Sequence, residues 1–361
     1  MPSSETAGAL LSVDLAALAA NYVHLGQELG GVPCAAVVKA DGYGLGTAPV
    51  AEALAEAGCT SFFVAHQAEG EALRQCLPEA EILVLHGPMP GMEAAFVEAR
   101  LVPVLNTVAQ LEGWRAAAKA APSALHLDSG LNRLGLGAAE LQACDPGQLN
   151  LALVMSHLAS AEEPQNPMNE RQRQRFLDLK AGLPAARASL ANSSGIFLGP
   201  DFHFDLARGG VALYGVNPTP GRPNPMRDVV HLQGKILALR QIDRGEGVGY
   251  GSTYRAAERR LIATVPVGYA DGYFRALGNR AFAAIDGRRV PVVGRVSMDL
   301  ITLDVSDVPG GVREGTLVDL IGGGVPLAEL AQAAGTIEYE LLTALGPRYH
   351  RRYHRGGKAV R

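Results

Sequence analysis

The segment Pro33-Cys-Ala-Ala-Val-Val-Lys-Ala-Asp-Gly-Tyr-Gly-Leu-Gly46 joins an apolar run to a glycine-rich turn, and the Ala- and Glu-rich stretch Thr47–Ala57 follows it. The apolar run is typical of a buried strand. The stretch after it places charged residues on one side and Ala and Leu on the other, which is typical of an amphipathic helix. This part of the chain therefore predicts a strand, a turn and a helix in succession.

The same succession recurs as far as about Tyr214. The predicted strands are Val32–Ala40, Ser61–Ala65, Glu81–His86, Leu101–Leu105, Ser123–Asp128, Leu149–His157, Ala186–Asn192 and Phe202–Leu206. Further helices are predicted at Met92–Arg100, Val108–Ala120 and Asn169–Gly182. The fold class is therefore α/β, with an N-terminal (β/α)8 TIM-type barrel. An open doubly wound sheet is the alternative, and the number of strands favours the barrel.

The pattern changes after the Pro- and Gly-rich stretch Asn217–Pro225. Short strands with glycine turns are then predicted at Val230–Leu239, Leu261–Pro266, Ala281–Ile285, Val290–Val293 and Leu317–Leu320. We therefore predict a barrel domain over residues 1–220 and a mostly β domain over residues 221–361, and we allow the first strand to pack with the second domain. The basic tail His350–Arg361 is predicted to be a solvated C-terminus.

Composition limits the classes of function. The chain has 361 residues, 48% hydrophobic and 19% charged, which suffices for the cores of two domains. A formal net charge of −4 provides no general field that attracts nucleic acid or an anionic membrane, so we expect a small-molecule ligand. The four cysteines show no C-x-x-C spacing and predict buried thiols in a reducing compartment. Residues 1–10 lack the features of a signal peptide, and no apolar run reaches the ~20 residues of a membrane span, so a cytoplasmic protein is expected. No metal site is predicted.

Lys39 is the first candidate for chemistry. It is one of only five lysines and lies where a buried strand is predicted to end, which is the end of a barrel strand that faces the active site. Arg could not supply a neutral amine there, whereas burial lowers the pKa of a lysine toward nucleophilic reactivity. A purely structural strand-end lysine is the alternative. The glycines that follow lack the G-x-G-x-x-G spacing of a dinucleotide site.

A second group of candidates lies late in the predicted barrel. The turns around Asn192-Ser-Ser-Gly195 and Arg208-Gly-Gly-Val211 offer backbone N–H groups of the kind that hold phosphate in barrels, although ordinary βα loops would have the same composition. A buried Arg208 requires a partner, and His157 is a candidate for that partner.

Five motifs then indicate a family. They are Val38-Lys-Ala-Asp-Gly-Tyr-Gly44, Gly130-Leu-Asn-Arg-Leu-Gly135, Gly247-Val-Gly-Tyr-Gly251, Gly268-Tyr-Ala-Asp-Gly272 and Gly294-Arg-Val-Ser-Met-Asp299. The five motifs occur in this order over nearly the full length. In this the chain resembles the bacterial alanine racemases, which are isomerases that depend on pyridoxal 5′-phosphate (PLP) and consist of a barrel and a β domain. Each motif alone would be a weak signal.

The resemblance implies the site residues. Lys39 would hold PLP as a Schiff base, and Lys39 and Tyr250 would be the two bases that exchange the proton of D- and L-alanine on opposite faces. The implied cofactor-binding residues are Lys39, Tyr43, His157, Asn192, Ser193, Arg208, Gly210, Val211 and Tyr339. The implied substrate-binding and entrance residues are Arg133, Tyr269, Arg295, Met298 and Asp299.

The resemblance also implies a homodimer with active sites shared between subunits, in which the β domain of one subunit covers the barrel mouth of the other. Two positions depart from the family pattern. His126 stands where the family often has a carbamylated lysine that braces Arg133, so we expect another brace: His126 itself, a bound anion or a nearby amide. Ser297 replaces a frequent cysteine.

Four other functions stay open at this point. They are a racemase of broader specificity that accepts serine, a PLP-dependent amino-acid decarboxylase of the same architecture, a single-domain PLP-binding homeostasis protein, and a cofactor-free carbohydrate or phosphosugar barrel. Decarboxylases normally place an acidic residue at the ring nitrogen, where this chain offers Arg208. The β domain with Tyr250 argues against the homeostasis proteins.

Overall fold

The computed structural model describes residues 6–356 and 358–360, which form two compact units. Leu18–Arg227 is one unit, and the residues up to Ala17 together with those from Asp228 onward are the other. The strands are β1 (Ala9–Asp14), β2 (Cys34–Val37), β3 (Ser61–Val64), β4 (Glu81–Val84), β5 (Val102–Leu105), β6 (Pro122–His126), β7 (Asn150–Met155), β8 (Arg187–Ser189), β9 (Ala207–Gly209), β10 (Val230–Lys235), β11 (Ala238–Ile242), β12 (Gly247–Val248), β13 (Tyr254–Arg255), β14 (Arg260–Val265), β15 (Phe282–Ile285), β16 (Arg288–Pro291), β17 (Ile301–Asp304), β18 (Leu317–Ile321), β19 (His350–Arg355) and β20 (Lys358–Val360). The helical segments are α1 (Leu15–Glu28), α2 (Lys39–Tyr43), α3 (Thr47–Glu56), α4 (Gln67–Cys76), α5 (Glu93–Glu98), α6 (Val108–Ala118), α7 (Ala138–Ala143), α8 (Met168–Lys180), α9 (Leu327–Ala334) and α10 (Glu338–Thr343).

The first unit is a nearly closed barrel of eight parallel strands, in the order β9, β2, β3, β4, β5, β6, β7, β8. The predicted (β/α)8 barrel is confirmed. Strands β2, β3 and β5 are buried at every position, because a parallel sheet with helices outside it is covered on both faces. The helices bury one side only: α3 buries Val50 and Leu54, and α6 buries Leu111 and Trp114.

The last barrel strand was predicted wrongly at Phe202–Leu206. Pro200–Phe202 is a 3-10 turn and Phe204 has a φ of +52°, a left-handed conformation that interrupts an extended strand. Pairing with β2 begins at Ala207, which lies opposite Cys34. Arg208 is therefore inside the last strand rather than beyond it.

The second unit is mostly β, as predicted. Its main sheet has the order β16, β15, β18, β10, β1, β19, β20, and a three-stranded sheet β11, β14, β17 and the hairpin β12–β13 complete it. Strand β1 pairs antiparallel with β10 and parallel with β19. The single strand predicted at Val230–Leu239 is two strands, β10 and β11.

The prediction of a solvated tail at His350–Arg361 is wrong. Residues His350–Arg355 form β19, which lies between β1 and β20 with Leu10 opposite His350. The pairing uses backbone groups, and all six side chains stay partly exposed, so a basic sequence is compatible with a strand. Residues 357 and 361 of this tail, and residues 1–5 at the other end of the sequence, lie outside the described residues.

The cysteines and the helices give three further results. Cys34 and Cys59 are buried free thiols as predicted, whereas Cys76 and Cys144 are partly exposed. None of the helices in the described ranges combines the length and the apolar character needed to cross a membrane. Among residues 6–356 and 358–360, no three or more His, Cys, Asp and Glu side chains are grouped so as to hold a metal ion.

Candidate functional site

Lys39 lies two residues after β2 and begins a turn of unusual backbone. Ala40, Asp41 and Tyr43 each have a φ of +54°, so the segment is left-handed, a conformation that L-residues rarely adopt. Carboxylates stabilise it: Ala40 N donates to Glu69 Oε1 at 2.7 Å, and Thr47 N donates to Asp41 Oδ1 at 2.9 Å. The turn is therefore held by specific polar contacts, and it sets the point from which the Lys39 side chain leaves the barrel strand.

The surroundings of the Lys39 amine favour its neutral form. Burial lowers the pKa of Lys39, the positive charge of Arg133 lowers it further, and Glu69 opposes the change. More of the amine is therefore unprotonated at neutral pH than in a free lysine. A neutral amine is the form that attacks a carbonyl or accepts a proton.

Arg208 is 3% exposed and has only neutral acceptors around its guanidinium. It donates to Ser189 Oγ at 2.5 Å, to the carbonyl oxygens of Ser156 at 2.6 Å and Leu190 at 3.3 Å, and it lies 3.3 Å from His157 Nδ1. Burial lowers the pKa of Arg208 to about 10, which leaves the group charged at pH 7. The predicted partnership with His157 is thus present, and it is one of four contacts.

His157 is held as a neutral imidazole. Burial lowers its pKa well below the usual value, and the charges of Arg208 and Arg133 act in the same direction. Because Arg208 donates to Nδ1, the proton of the neutral ring is assigned to Nε2. The ring therefore offers an N–H donor on the side away from Arg208.

The predicted phosphate turns form a cradle of N–H and hydroxyl groups. Ser193 Oγ accepts from the N–H of Gly210 at 2.9 Å and of Ala212 at 3.3 Å. A Cβ at Gly210 would lie 2.8 Å from the Tyr43 hydroxyl, so a larger residue there would have to displace that side chain. Val211 is buried and begins a 3-10 turn, so its N–H has no acceptor within that turn. A phosphate group would satisfy this N–H and use the nearby hydroxyls, so the residues present fit one.

Asn192, next to Ser193, has a local role. Its Oδ1 accepts from the N–H of Gly195 at 2.9 Å and so closes the turn that presents Ser193. The sequence prediction placed Asn192 near the phosphate, and its observed bond is to the backbone.

Arg133 lies on an exposed loop beside a cavity of about 350 Å³. Asp128 Oδ1 orders this loop by accepting from the N–H groups of Gly130 at 2.9 Å and Asn132 at 3.1 Å. Lys39 does not line this cavity. The forked guanidinium of Arg133 itself suits a carboxylate ligand.

His126 is paired with Asn106. Its Nδ1 lies 2.8 Å from Asn106 Oδ1, and burial, aided by the charge of Arg208, lowers the pKa of His126 to about 4. The brace of Arg133, whether His126, a bound anion or an amide, stays a prediction.

Sequence reasoning missed a buried polar network behind these groups. Gln172 on α8 is fully buried; its Oε1 accepts from Ala159 N at 2.8 Å, and its Nε2 donates to His157 O at 2.9 Å and Ser129 Oγ at 3.3 Å. Ser129 Oγ in turn lies 2.7 Å from Ser156 Oγ. The available signal was a glutamine four residues before Phe176 on the buried face of a predicted helix.

Tyr250 belongs to the other unit and projects from a glycine-rich turn. It is 74% exposed and begins a 3-10 turn, Tyr250–Ser252, between two glycines of positive φ. A Cβ at Gly251 would lie 3.1 Å from Arg295 Nη1, so the glycine admits the close approach of Arg295. Gly251 therefore lets Arg295 lie against the backbone of the turn that carries Tyr250.

Tyr269, Met298 and Asp299 are grouped by two loops of the same unit. Tyr269 N donates to Ser297 O and Ala270 N donates to Met298 O, each at 3.0 Å. Tyr339 lies on α10, also in this unit. The structure therefore gathers the predicted residues into a barrel set and a β-domain set.

Comparisons with known proteins agree with this division. Residues 13–218 match the family model "Alanine racemase, N-terminal domain", and residues 229–353 match "Alanine racemase, C-terminal domain". The chain is 52% identical to an alanine racemase of Rhodospirillum rubrum, with 98% of each chain covered, and 51% identical to a catabolic alanine racemase of Mesorhizobium japonicum, with 97% of this chain and 94% of that one covered. Among solved structures, alanine racemase from Bartonella henselae with covalently bound pyridoxal phosphate has a TM-score of 0.93 and 38% identity, covering 96% of this chain and 100% of that one. The enzyme from Bacillus anthracis with bound L-Ala-P has a TM-score of 0.90 and 30% identity, covering 100% and 98%.

Proposed function

This chain belongs to the alanine racemase family, and we propose that it is a PLP-dependent isomerase that interconverts L-alanine and D-alanine. The observation that carries the proposal is the environment of Arg208. When bound, PLP supplies an electron sink for the negative charge that forms at the substrate α-carbon. A buried guanidinium with neutral partners keeps its proton and gives none to the ring nitrogen, whereas the decarboxylase alternative needs an acid in that place.

The barrel set, together with Tyr339 of the β-domain set, would hold the cofactor. Lys39 would bind it covalently, and Tyr43, Ser193, Gly210 and Val211 would hold its phosphate, together with Asn192 and Tyr339. The N–H of Val211 at the start of its 3-10 turn and the close approach of the Tyr43 hydroxyl to Gly210 support this assignment. Arg208 and His157 would lie on the ring side.

The chain's own residues would then bind alanine and move its α-proton. The exposed guanidinium of Arg133 suits the substrate carboxylate, and Tyr269, Arg295, Met298 and Asp299 would complete the binding site and its entrance. Lys39, with its lowered pKa, would exchange the proton of the D-isomer, and Tyr250 that of the L-isomer. The Nε2–H of neutral His157 is a suitable donor to stabilise a phenolate.

We further propose a homodimer in which Tyr250, Tyr269 and Met298 act in the active site of the partner subunit. Lys39→Ala and Tyr250→Phe proteins should each be inactive, and heterodimers that combine them should contain one intact site of two. Equal mixing with subunit exchange should restore about a quarter of the wild-type activity, because about half of the dimers are then mixed. No recovery, with mixed dimers demonstrated by mass spectrometry, would contradict the sharing of sites.

The decisive experiment is a panel of L-amino acids incubated with the purified protein, with chromatography for each D-isomer. We expect D-alanine as the main product and weaker formation of D-serine, since a pocket rejects one added hydroxyl only weakly. An absorbance band near ~420 nm that disappears on borohydride reduction should accompany the activity. A protein with neither the band nor D-alanine formation would refute the proposal and leave the cofactor-free barrel alternative.

We place the reaction in the cytoplasm, where it would supply D-alanine for peptidoglycan. The relative from Mesorhizobium japonicum that is named catabolic favours a second role, the net conversion of D-alanine to L-alanine. Rescue of a D-alanine auxotroph tests the first role, and growth on D-alanine as nitrogen source tests the second.

A further inference from the structure

Arg348 joins two loops that the sequence motifs place in the entrance. Its Nε and Nη2 donate to Asp271 Oδ1 at 2.5 Å and Oδ2 at 2.7 Å, and its Nη1 donates to Asp299 Oδ1 at 2.7 Å. One guanidinium thus forms a side-on pair with the first loop and a single bond with the second. This geometry uses the planar fork of arginine, which lysine lacks.

Asp271 is a buried charge that depends on this contact. It is 3% exposed, and its Oδ2 also accepts from the N–H of Gly268 at 2.9 Å. Arg348 is its ion-pair partner among the described residues. Because a buried carboxylate without a cation is strongly destabilising, the position of Asp271 is coupled to that of Arg348.

The loop that contains Asp271 is also in close backbone contact with the loop that contains Met298. A Cβ at Gly268 would lie 2.3 Å from Met298 O, and one at Gly272 would lie 2.2 Å from Ala344 O. The N–H of Gly346, two residues before Arg348, donates to Asp271 O at 3.1 Å. A shift of the Asp271 loop must therefore move the backbone of Met298.

We propose that Arg348 is a positioning residue that fixes the Tyr269 loop (residues 268–272) against the Met298 loop (residues 297–300), and so sets the affinity of the entrance for the carboxylate of the amino-acid substrate. The substrate part rests on the function proposed above. The bonds from Arg348 to Asp271 and Asp299, here called the clamp, lie within the β domain. Their effect on the loops can be measured without any activity.

The test uses the holoenzyme with the double variant Arg348→Met/Asp271→Asn. It removes the clamp and also the carboxylate that would otherwise be buried without a cation, so that folding is kept. Arg348→Lys is the conservative variant, since it keeps the charge and loses the side-on pair. Arg289→Met is the control for loss of an exposed arginine: Arg289 forms a two-bond pair with Glu329 in the same unit and is 52% exposed, against 49% for Arg348, but its carboxylate partner is not buried.

Two measurements are made on each protein. Hydrogen exchange followed by mass spectrometry should show about tenfold faster exchange at the amides of both loops in the double variant, because the bonds from Tyr269 N and Ala270 N open more often.

Steady-state kinetics should show a KM for L-alanine raised about tenfold with kcat changed less than about threefold, since lost ground-state binding raises KM. The exchange rates and the KM of Arg348→Lys should lie between those of wild type and the double variant, and those of Arg289→Met should match wild type.

The outcomes distinguish the existence of the clamp from its role in substrate affinity. Unchanged loop exchange in the double variant overturns the clamp, and faster exchange with an unchanged KM overturns its role in substrate affinity. A fall in kcat alone, or an equal KM rise in Arg289→Met, also overturns it. If the wild-type protein forms no D-alanine, the proposed function fails, while the exchange data still decide on the clamp.

Discussion

Replacement of Gln172 by leucine should destabilise the barrel by about 2–4 kcal/mol. The change keeps the volume of a fully buried side chain but removes its three hydrogen bonds. The N–H of Ala159 and the carbonyl of His157 lose a partner inside the protein, and each such group costs about 1–3 kcal/mol. Ser129 Oγ keeps its bond to Ser156, and the apolar leucine recovers part of the loss, which gives the lower end of the range.

The assay is urea denaturation followed by tryptophan fluorescence. Trp114 is the single tryptophan of the chain and is fully buried on α6, so the signal reports the barrel and not the β domain. Gln174→Leu is the matched control, because Gln174 is exposed on the same helix and its Nε2 donates to Asp178 Oδ1 at 2.9 Å. It should change the stability by less than about 0.5 kcal/mol. A loss below that figure for Gln172→Leu, or equal losses for both variants, would refute the account of the buried network.

Three further predictions concern the candidate site. Gly210→Ala should reduce PLP affinity at least about tenfold, measured by fluorescence titration of apoprotein, because the added Cβ meets the Tyr43 hydroxyl at 2.8 Å; an unchanged affinity would mean that the cradle is not the phosphate site. The neutral His126 should make stability fall as pH drops from about 6.5 to about 4, since the unfolded state binds the extra proton there and the folded state does not. His126→Gln should lose about 2 kcal/mol of that pH dependence between urea titrations at pH 7 and pH 4.5, and an identical pH dependence in both proteins would contradict the assignment. Arg208→Glu should raise the ratio of transamination to racemisation, measured as pyruvate against D-alanine, and a constant ratio would remove the proposed reason for a guanidinium at this place.

Much of the fold and of the site was decided locally and could be predicted. Buried parallel strands have apolar runs, and the helices between them have one apolar side, so eight units were countable without a structure. Lys39 was identifiable because a scarce amine ends a buried strand, and Gly210 because glycine turns are where backbone N–H groups reach a phosphate. These properties depend on neighbours in sequence.

The rest depended on partners that are distant in sequence. β19 has a basic sequence typical of a tail, and only its backbone pairing with β1 and β20 makes it a strand. The last barrel strand begins at Ala207 because β2 lies opposite it, and no local signal marks that point. His126 bonds to Asn106, 20 residues away, a partner that no local signal marks.

The sequence by itself therefore determined the succession of elements and which residue types could do chemistry. Only the tertiary structure decided how each polar group is paired, and with it the charge state that the group keeps. The physical reason is that hydrophobic periodicity is a property of one segment, whereas the environment of a buried polar group is made by several segments. Gln172 illustrates this, since its contribution to stability comes from hydrogen bonds to residues 13, 15 and 43 positions away.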